Sequence, residues 1–187
     1  MKTGLIVILA LILVALGSKY VGVRNSLVTE RESIDAAWAQ VTIALEHRAD
    51  LVPDLVQTVQ REAPDETAVT KALSDARAAL DRARGPQPKI RANAQLDNAL
   101  GRLLLCAENN RKLESSGKID ALEDALKESE YRIAVERRKY NEAVEHYNTR
   151  LALFPNNVVA SLSRFGKIDA YMPAPAGVPL SATQPRP

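Results

Sequence analysis

The chain has 187 residues, of which 46% are hydrophobic and only 4% aromatic, and its 26% of charged side chains balance to a net charge of +2. Ala, Leu, Glu and Arg dominate while β-branched residues are scattered, so the composition favours helix over sheet. Because both signs of charge are interleaved, no basic nucleic-acid surface is indicated and we expect no nucleic-acid partner.

The first element is an uncharged segment, residues 3–18, between Lys2 and Lys19. As a helix it covers roughly 24 Å, and lysines at both ends can snorkel toward the edges of a hydrocarbon core of roughly 30 Å. We interpret residues 1–22 as a transmembrane anchor that contacts the bilayer through residues 3–18. A cleaved signal peptide is the alternative, because residues 15–17 (A-L-G) fit the small-x-small cleavage pattern. Positive charges flank both ends, so sidedness is weakly specified, with a lean toward an extracytoplasmic domain.

Prolines and glycines divide the following chain into amphipathic segments with helical periodicity. The predicted helices span about 25–62, 65–84, 89–110 and 119–153. The predicted fold is all-α, with an N-terminal transmembrane helix followed by an up-and-down antiparallel four-helix bundle over residues 23–160. Residues 161–187 form a C-terminal extension, and its Pro-rich part is predicted to be disordered from about residue 173.

Two predicted helices carry nearly unbroken apolar seams at spacings of three and four residues. The first seam comprises Leu27, Ile34, Trp38, Val41, Leu45, Val52, Leu55 and Val59, interrupted only by Arg48. The last comprises Ile119, Leu126, Ile133, Tyr140, Tyr147 and Phe154, with Leu122, Ser129, Glu136 and Ala143 as a second row. Pro53 lies within the first seam, where we expect a kink rather than a break.

Arg48 is the charge within the first seam. Aligning the two seams as antiparallel neighbours places Arg48 opposite Ile133, within one turn of Glu130 and Glu136. We predict that Arg48 pairs with one of these two glutamates, and that these seam charges are structural and fix the register of the two helices.

Catalytic, cofactor and metal motifs are not recognisable in the sequence. His47 and His146 each follow an alanine at the third residue before them, so the Glu-x-x-His pattern of di-iron bundles is missing. Glu142 and His146 are interpreted as an exposed helix pair, and Cys106 as a small core residue. We therefore predict a non-enzymatic protein that binds no cofactor and no metal.

Several blocks of the chain resemble the LemA family. They are residues 25–28 (N-S-L-V), 35–38 (D-A-A-W), 47–56 (H-R-A-D-L-V-P-D-L-V), 76–77 (A-R), 100–104 (L-G-R-L-L), 130–137 (E-x-x-I-x-x-x-R), 140–148 (Y-N-x-A-V-x-x-Y-N) and 154–155 (F-P). The motif positions singled out are Trp38, Asp50, Pro53, Arg137, Tyr140, Asn141, Tyr147 and Asn148. The chain departs from the pattern at His47 and at residues 108–113. The resemblance spans about residues 20–172 and implies a membrane-anchored helical bundle without an assigned enzymatic activity.

These observations lead us to expect a membrane-tethered scaffold or adaptor of the bacterial cell envelope that contacts other membrane or envelope proteins. The alternative is a lipid-binding or membrane-remodelling bundle, which requires an apolar or basic face outside the core seams. A metal-binding or enzymatic bundle is a third hypothesis. No particular oligomeric state is indicated.

Overall fold

The computed structural model describes residues 2–110 and 118–172, and within these ranges the chain forms helices joined by short connections, with no strand. The helices are α1 (Lys2–Ala49), α2 (Val52–Glu62), α3 (Thr67–Arg82), α4 (Pro86–Glu108), α5 (Lys118–Ala152) and α6 (Asn156–Ser163). The all-α prediction is confirmed. The disorder predicted from about residue 173, and most of the family departure at 108–113, lie outside the described residues.

Helix α1 is continuous over 48 residues and includes both the apolar segment and the first seam from Leu27 to Arg48, while the rest of that seam lies on α2. Neither Gly nor Pro occurs between residues 23 and 52, so no residue there interrupts the helical hydrogen bonds. The N-terminal part of α1 is long and apolar enough to cross a membrane, and none of it is buried within the protein.

Pro53 coincides with a break between two helices rather than the predicted kink within one. Proline has no N–H to donate to the carbonyl of Ala49, the last residue of α1. The N–H of Leu51 donates instead to the carbonyl of Arg48 at 3.2 Å, a tighter i to i−3 bond. Pro53 then lies in the first turn of α2, where its missing N–H needs no partner.

Two further boundaries differ from the prediction. Helix α4 begins at Pro86 rather than near 89, directly after Gly85, whose φ of +78° is easily adopted by glycine. Helix α6 was not predicted as a separate helix, and it ends where Arg164 adopts a left-handed conformation.

The described chain divides into two compact units. The first contains residues 2–38 and 138–170, and its buried side chains include Leu27, Ile34, Tyr140, Val144, Tyr147 and Leu151. The second contains residues 39–137 with Tyr171, and its buried side chains include Val41, Leu45, Val52, Leu73, Leu80, Leu96, Leu103 and Ile133. In the second unit α2 packs on α3, and α3 packs on α4.

Phe154 corrects the predicted extent of the last seam. It is 82% exposed, because α5 ends at Ala152 and Phe154 lies in the turn before α6. The buried row therefore ends at Leu151. The side chain of Ile119, predicted to begin this seam, is outside the described part of the chain.

Candidate functional site

Arg48, near the end of α1, is a charged residue buried within the second unit. Its side chain is only 6% exposed. Nη1 of Arg48 lies 2.5 Å from Oδ1 of Asp97 on α4, and Nη2 lies 3.2 Å from Oε1 of Glu130 on α5. One guanidinium thereby joins three helices, using the planar donor geometry that suits two carboxylates at once.

Of the two glutamates predicted as partners of Arg48, the structure places Glu130 beside it. Arg48 forms ion pairs with Glu130 and with Asp97, whereas Glu136 is half-buried nearly two turns further along α5. Glu130 is one turn before Ile133 on α5, within the one turn that the alignment of the two seams allowed.

A small pocket of about 240 Å³ lies beside this cluster. Asn93, buried on α4, donates from Nδ2 to Oδ2 of Asp97 at 3.2 Å. On the other side the guanidinium carbon of Arg137 lies 5.7 Å from the ring centroid of buried Tyr171, which is cation–π distance. Within the described residues, Nε of Arg48 and Oδ1 of Asn93 have no hydrogen-bond partner.

Burial raises the pKa of two groups that line this pocket, Asp97 and Tyr171. Loss of solvent raises the pKa of Asp97, while Arg48 opposes the rise and Glu130 adds to it. Burial likewise raises the pKa of Tyr171, so its hydroxyl stays protonated at neutral pH. The cluster thus places two arginines, Arg48 and Arg137, and two carboxylates, Asp97 and Glu130, around the pocket.

In the first unit, Asn148 on α5 binds the chain that follows α6. Its Nδ2 donates to the carbonyl of Ile168 at 2.8 Å, and the N–H of Ile168 donates back to its Oδ1 at 3.0 Å. We call residues 164–170 the C-terminal strap. The amide of Asn148 satisfies both backbone groups of one strap residue, as a neighbouring β-strand would.

Two tyrosines of α5 bind the same strap. The hydroxyl of Tyr140 donates to the carbonyl of Asp169 and that of Tyr147 to the carbonyl of Gly166, both at 3.2 Å. Burial raises the pKa of both phenols, which keeps them neutral donors. Three of the motif positions on α5, Tyr140, Tyr147 and Asn148, therefore hold the strap.

The remaining motif residues lie at separate places. Trp38 packs edge-to-face on Tyr140 with ring centroids 5.4 Å apart. The carboxylate of Asp50 lies 3.9 Å from Nη2 of Arg77. Pro53 begins α2 and Arg137 covers Tyr171, as described above. Asn141 is half-buried on α5.

The residues considered for metal binding or catalysis are dispersed. Glu142 accepts from Nε of Arg138 at 2.8 Å, whereas His146 faces Glu30 at 3.8 Å. His47 is exposed. Burial raises the pKa of the Cys106 thiol, which disfavours the reactive thiolate. The part of the chain that the structure describes contains no group of three or more His, Cys, Asp or Glu residues placed to hold a metal ion.

Sequence reasoning missed Asn93, Asp97, Tyr171 and the strap. Asn93 and Asp97 are one turn apart beside the apolar row of Leu96 and Leu100. That spacing places both polar side chains on one helix face at the edge of the core, and it was the signal that could have identified them. Tyr171 is an isolated aromatic residue after the last predicted helix and belongs to no periodic pattern.

Comparison with known proteins agrees with the motif resemblance. The LemA family model matches residues 37–177. Among curated relatives, magnetosome proteins MamQ 2 and MamQ 1 of Paramagnetospirillum magneticum are each 31% identical over 93 residues, which is 50% of this chain and 34% of each relative. Magnetosome protein MamQ of Magnetospirillum gryphiswaldense is 28% identical over 86 residues, or 46% of this chain and 32% of the relative. The chain thus matches about a third of the length of these relatives, whereas the family model covers most of the chain. The protein belongs to the LemA family.

Proposed function

We propose that this protein is a non-enzymatic, membrane-tethered helical scaffold or adaptor of the bacterial cell envelope. The observation that carries the proposal is α1, whose apolar N-terminal part is uncovered by the described chain and continues without a break to Ala49. Such a surface is stable in lipid but not in water. The tether and the first helix of the domain are therefore one continuous helix.

The use of the motif residues supports a structural role. Tyr140, Tyr147 and Asn148 bind the strap, and Trp38 packs on Tyr140, so these side chains are engaged within the protein itself. Arg48 is likewise engaged by two carboxylates. Side chains committed to internal contacts stabilise a surface for binding rather than carry a reaction.

For the second unit we propose the up-and-down antiparallel four-helix arrangement, with α2 continuing the first helix of the bundle. Support comes from the packing of α2 on α3 and of α3 on α4. Arg48 connects α1 to α4 and α5, and Lys89 of α4 reaches Glu46 of α1 at 3.0 Å. The short connections between α1 and α2, between α2 and α3, and between α3 and α4 favour this topology.

Carbonate extraction and N-terminal analysis of the mature protein test the tether. If residues 3–18 remain in the membrane, alkaline carbonate will leave the full chain in the membrane pellet, and the mature N-terminus will be Met1 or Lys2. Release into the supernatant, or an N-terminus at Ser18, would contradict the tether and indicate a secreted or periplasmic protein. A reporter fused after Pro187 will identify the side of the membrane that holds the domain.

In-cell photo-cross-linking tests the scaffold role. Ile43 and Tyr131 are large, exposed side chains on α1 and α5 and are suited to replacement by a photoreactive amino acid. We expect discrete adducts with other envelope proteins at one or both positions, and none at the charged, exposed control position Asp124. Adducts only with copies of this chain, or none at all, would contradict an adaptor role.

A further inference from the structure

Helix α6 has apolar side chains on two sides. Its eight residues, N-N-V-V-A-S-L-S, include no charge, and Val159 and Ala160 are buried against the first unit. Val158 and Leu162, one turn apart, remain 49% and 70% exposed. Leu153 and Phe154, in the turn before α6, are also exposed. We call these four exposed residues, on α6 and in the turn before it, the α6 apolar face; single exposed apolar residues are ordinary, but a group of them close together in the chain is a candidate interaction surface.

Contacts within the first unit place α6 close to the apolar segment of α1. The hydroxyl of Tyr20 lies 2.8 Å from Oγ of Ser163, the last residue of α6. Before α6, Nη1 of Arg150 lies 2.5 Å from Oε1 of Glu30. Helix α6 is therefore held beside the part of α1 between Tyr20 and Glu30, directly after the apolar segment.

The length of the apolar segment determines how close this region lies to lipid. Residues 3–18 span roughly 24 Å, about 6 Å less than a hydrocarbon core of roughly 30 Å, so about four more residues are needed to cross it. Lys2 bounds one end, whereas beyond Lys19 the chain is again uncharged through residues 20–23. The edge of the hydrocarbon then falls near Gly22, and a headgroup layer of about 6 Å extends for roughly four more residues of α1.

Exposed cations surround the same level of the first unit. Lys19 and Arg24 lie on α1, and Arg164 directly follows α6, all with exposed side chains. Long basic side chains around an apolar face are typical of helices that lie in the interface of an anionic membrane.

We propose that α6 is an interfacial helix whose apolar face is embedded at the headgroup–acyl boundary of the same anionic bilayer that α1 crosses. This inference rests on the proposed membrane tether and adds a second membrane contact to it. The first unit then stands directly on the bilayer surface, with Tyr20 and Ser163 near the headgroups. The face outside the core seams that a lipid-binding function requires is thus supplied by α6.

Fluorescence with position-specific quenchers tests the proposal on the full chain. Single-cysteine variants Val158→Cys and Leu162→Cys, in a Cys106→Ala background, are labelled with an environment-sensitive dye. They are then reconstituted one molecule per nanodisc of phosphatidylglycerol and phosphatidylethanolamine. Leu11→Cys reports on the anchor, and Tyr131→Cys, which is as exposed as Leu162 but lies outside the anchor and α6, is the control. We expect quenching by spin-labelled lipid at positions 158 and 162 to exceed that at 131 severalfold, with matching protection from aqueous iodide.

Each outcome separates α6 from the anchor. Lipid quenching at position 11 together with quenching at 158 and 162 by iodide only would overturn the interfacial helix and leave the tether intact. Absence of lipid quenching at position 11 would overturn both. Protection of 158 and 162 from both quenchers would show that protein covers the face and would also overturn the proposal. Circular dichroism of each labelled variant checks that helix content is unchanged, and thermal melts that differ between variants identify any label that perturbs the fold.

Discussion

The two units use α5 in physically different ways. In the first unit its neutral side chains, Tyr140, Tyr147 and Asn148, bond to the backbone of the strap. In the second unit its Glu130 joins a charged cluster centred on Arg48. A neutral hydrogen bond contributes about 1 kcal/mol, whereas a buried charge that loses its partners retains a larger desolvation penalty than a neutral group does. The two units should therefore respond differently to mutation and to pH.

The largest expected effect comes from removing both carboxylates that face Arg48. The double variant Asp97→Ala, Glu130→Ala leaves a guanidinium that is 6% exposed without an anionic partner. We expect a loss of about 3 kcal/mol in the free energy of unfolding, equivalent to a fall of roughly 6–12 °C in Tm for a chain of this size. Thermal and denaturant unfolding of the full chain in detergent measures it.

Adding Arg48→Met to that variant sharpens the comparison. Because the loss in stability comes from desolvating the unpaired guanidinium of Arg48, the triple variant should recover most of it. Glu128→Ala, which removes an exposed pair with Arg132 at 2.8 Å, is the matched control and should cost less than about 1 kcal/mol. Equal losses in the double and triple variants would refute the importance of the buried charge.

An intermediate effect is expected in the first unit from Asn148→Ala. Two hydrogen bonds to Ile168 are lost, which corresponds to about 2 kcal/mol in the free energy of unfolding. Limited proteolysis should cleave the strap earlier than in the wild-type protein. Asn98→Ala, on the exposed face of α4, is the control. Unchanged cleavage within residues 164–170 would contradict the role of Asn148 in holding the strap.

The smallest expected effect is a pH dependence confined to the charged cluster. Burial raises the pKa of Asp97 above its ordinary value of 3.8, so above pH 3.8 the native state binds more protons than the unfolded state. This stabilising contribution is complete below pH 3.8 and is lost as pH rises through the native pKa. Because 45% of the Asp97 side chain is exposed, solvent screening keeps the change small.

Asp97→Asn isolates this pH dependence. The stability of the wild type relative to Asp97→Asn should fall as pH rises from 3.8 and become constant above the native pKa of Asp97. Denaturant unfolding at a series of pH values gives the difference. Asn148→Ala, which changes only neutral hydrogen bonds, should keep the pH dependence of the wild type. A constant difference between wild type and Asp97→Asn across the series would contradict the raised pKa.

Helical periodicity was sufficient to predict most helices and two members of the charged cluster, Arg48 and Glu130. Residues at spacings of three and four share a helix face, so the seam and its single charge at Arg48 were visible in the sequence. Aligning the two seams as antiparallel neighbours predicted that Glu130 would lie within one turn of the residue opposite Arg48. The end of the seam was misplaced at Phe154, because periodicity alone does not reveal where a turn begins.

The sequence by itself determined the all-α class, the apolar segment, the family and the approximate helix boundaries, because these depend on local propensity and on the spacing of residues along one helix. Only the tertiary structure decided that Asp97 shares Arg48 with Glu130, that Tyr171 lies beneath Arg137, and that Asn148 holds the strap. It also decided that α6 exposes an apolar face beside Tyr20. These contacts join residues far apart in the chain through single side chains, and such pairings leave no periodic signal in the sequence.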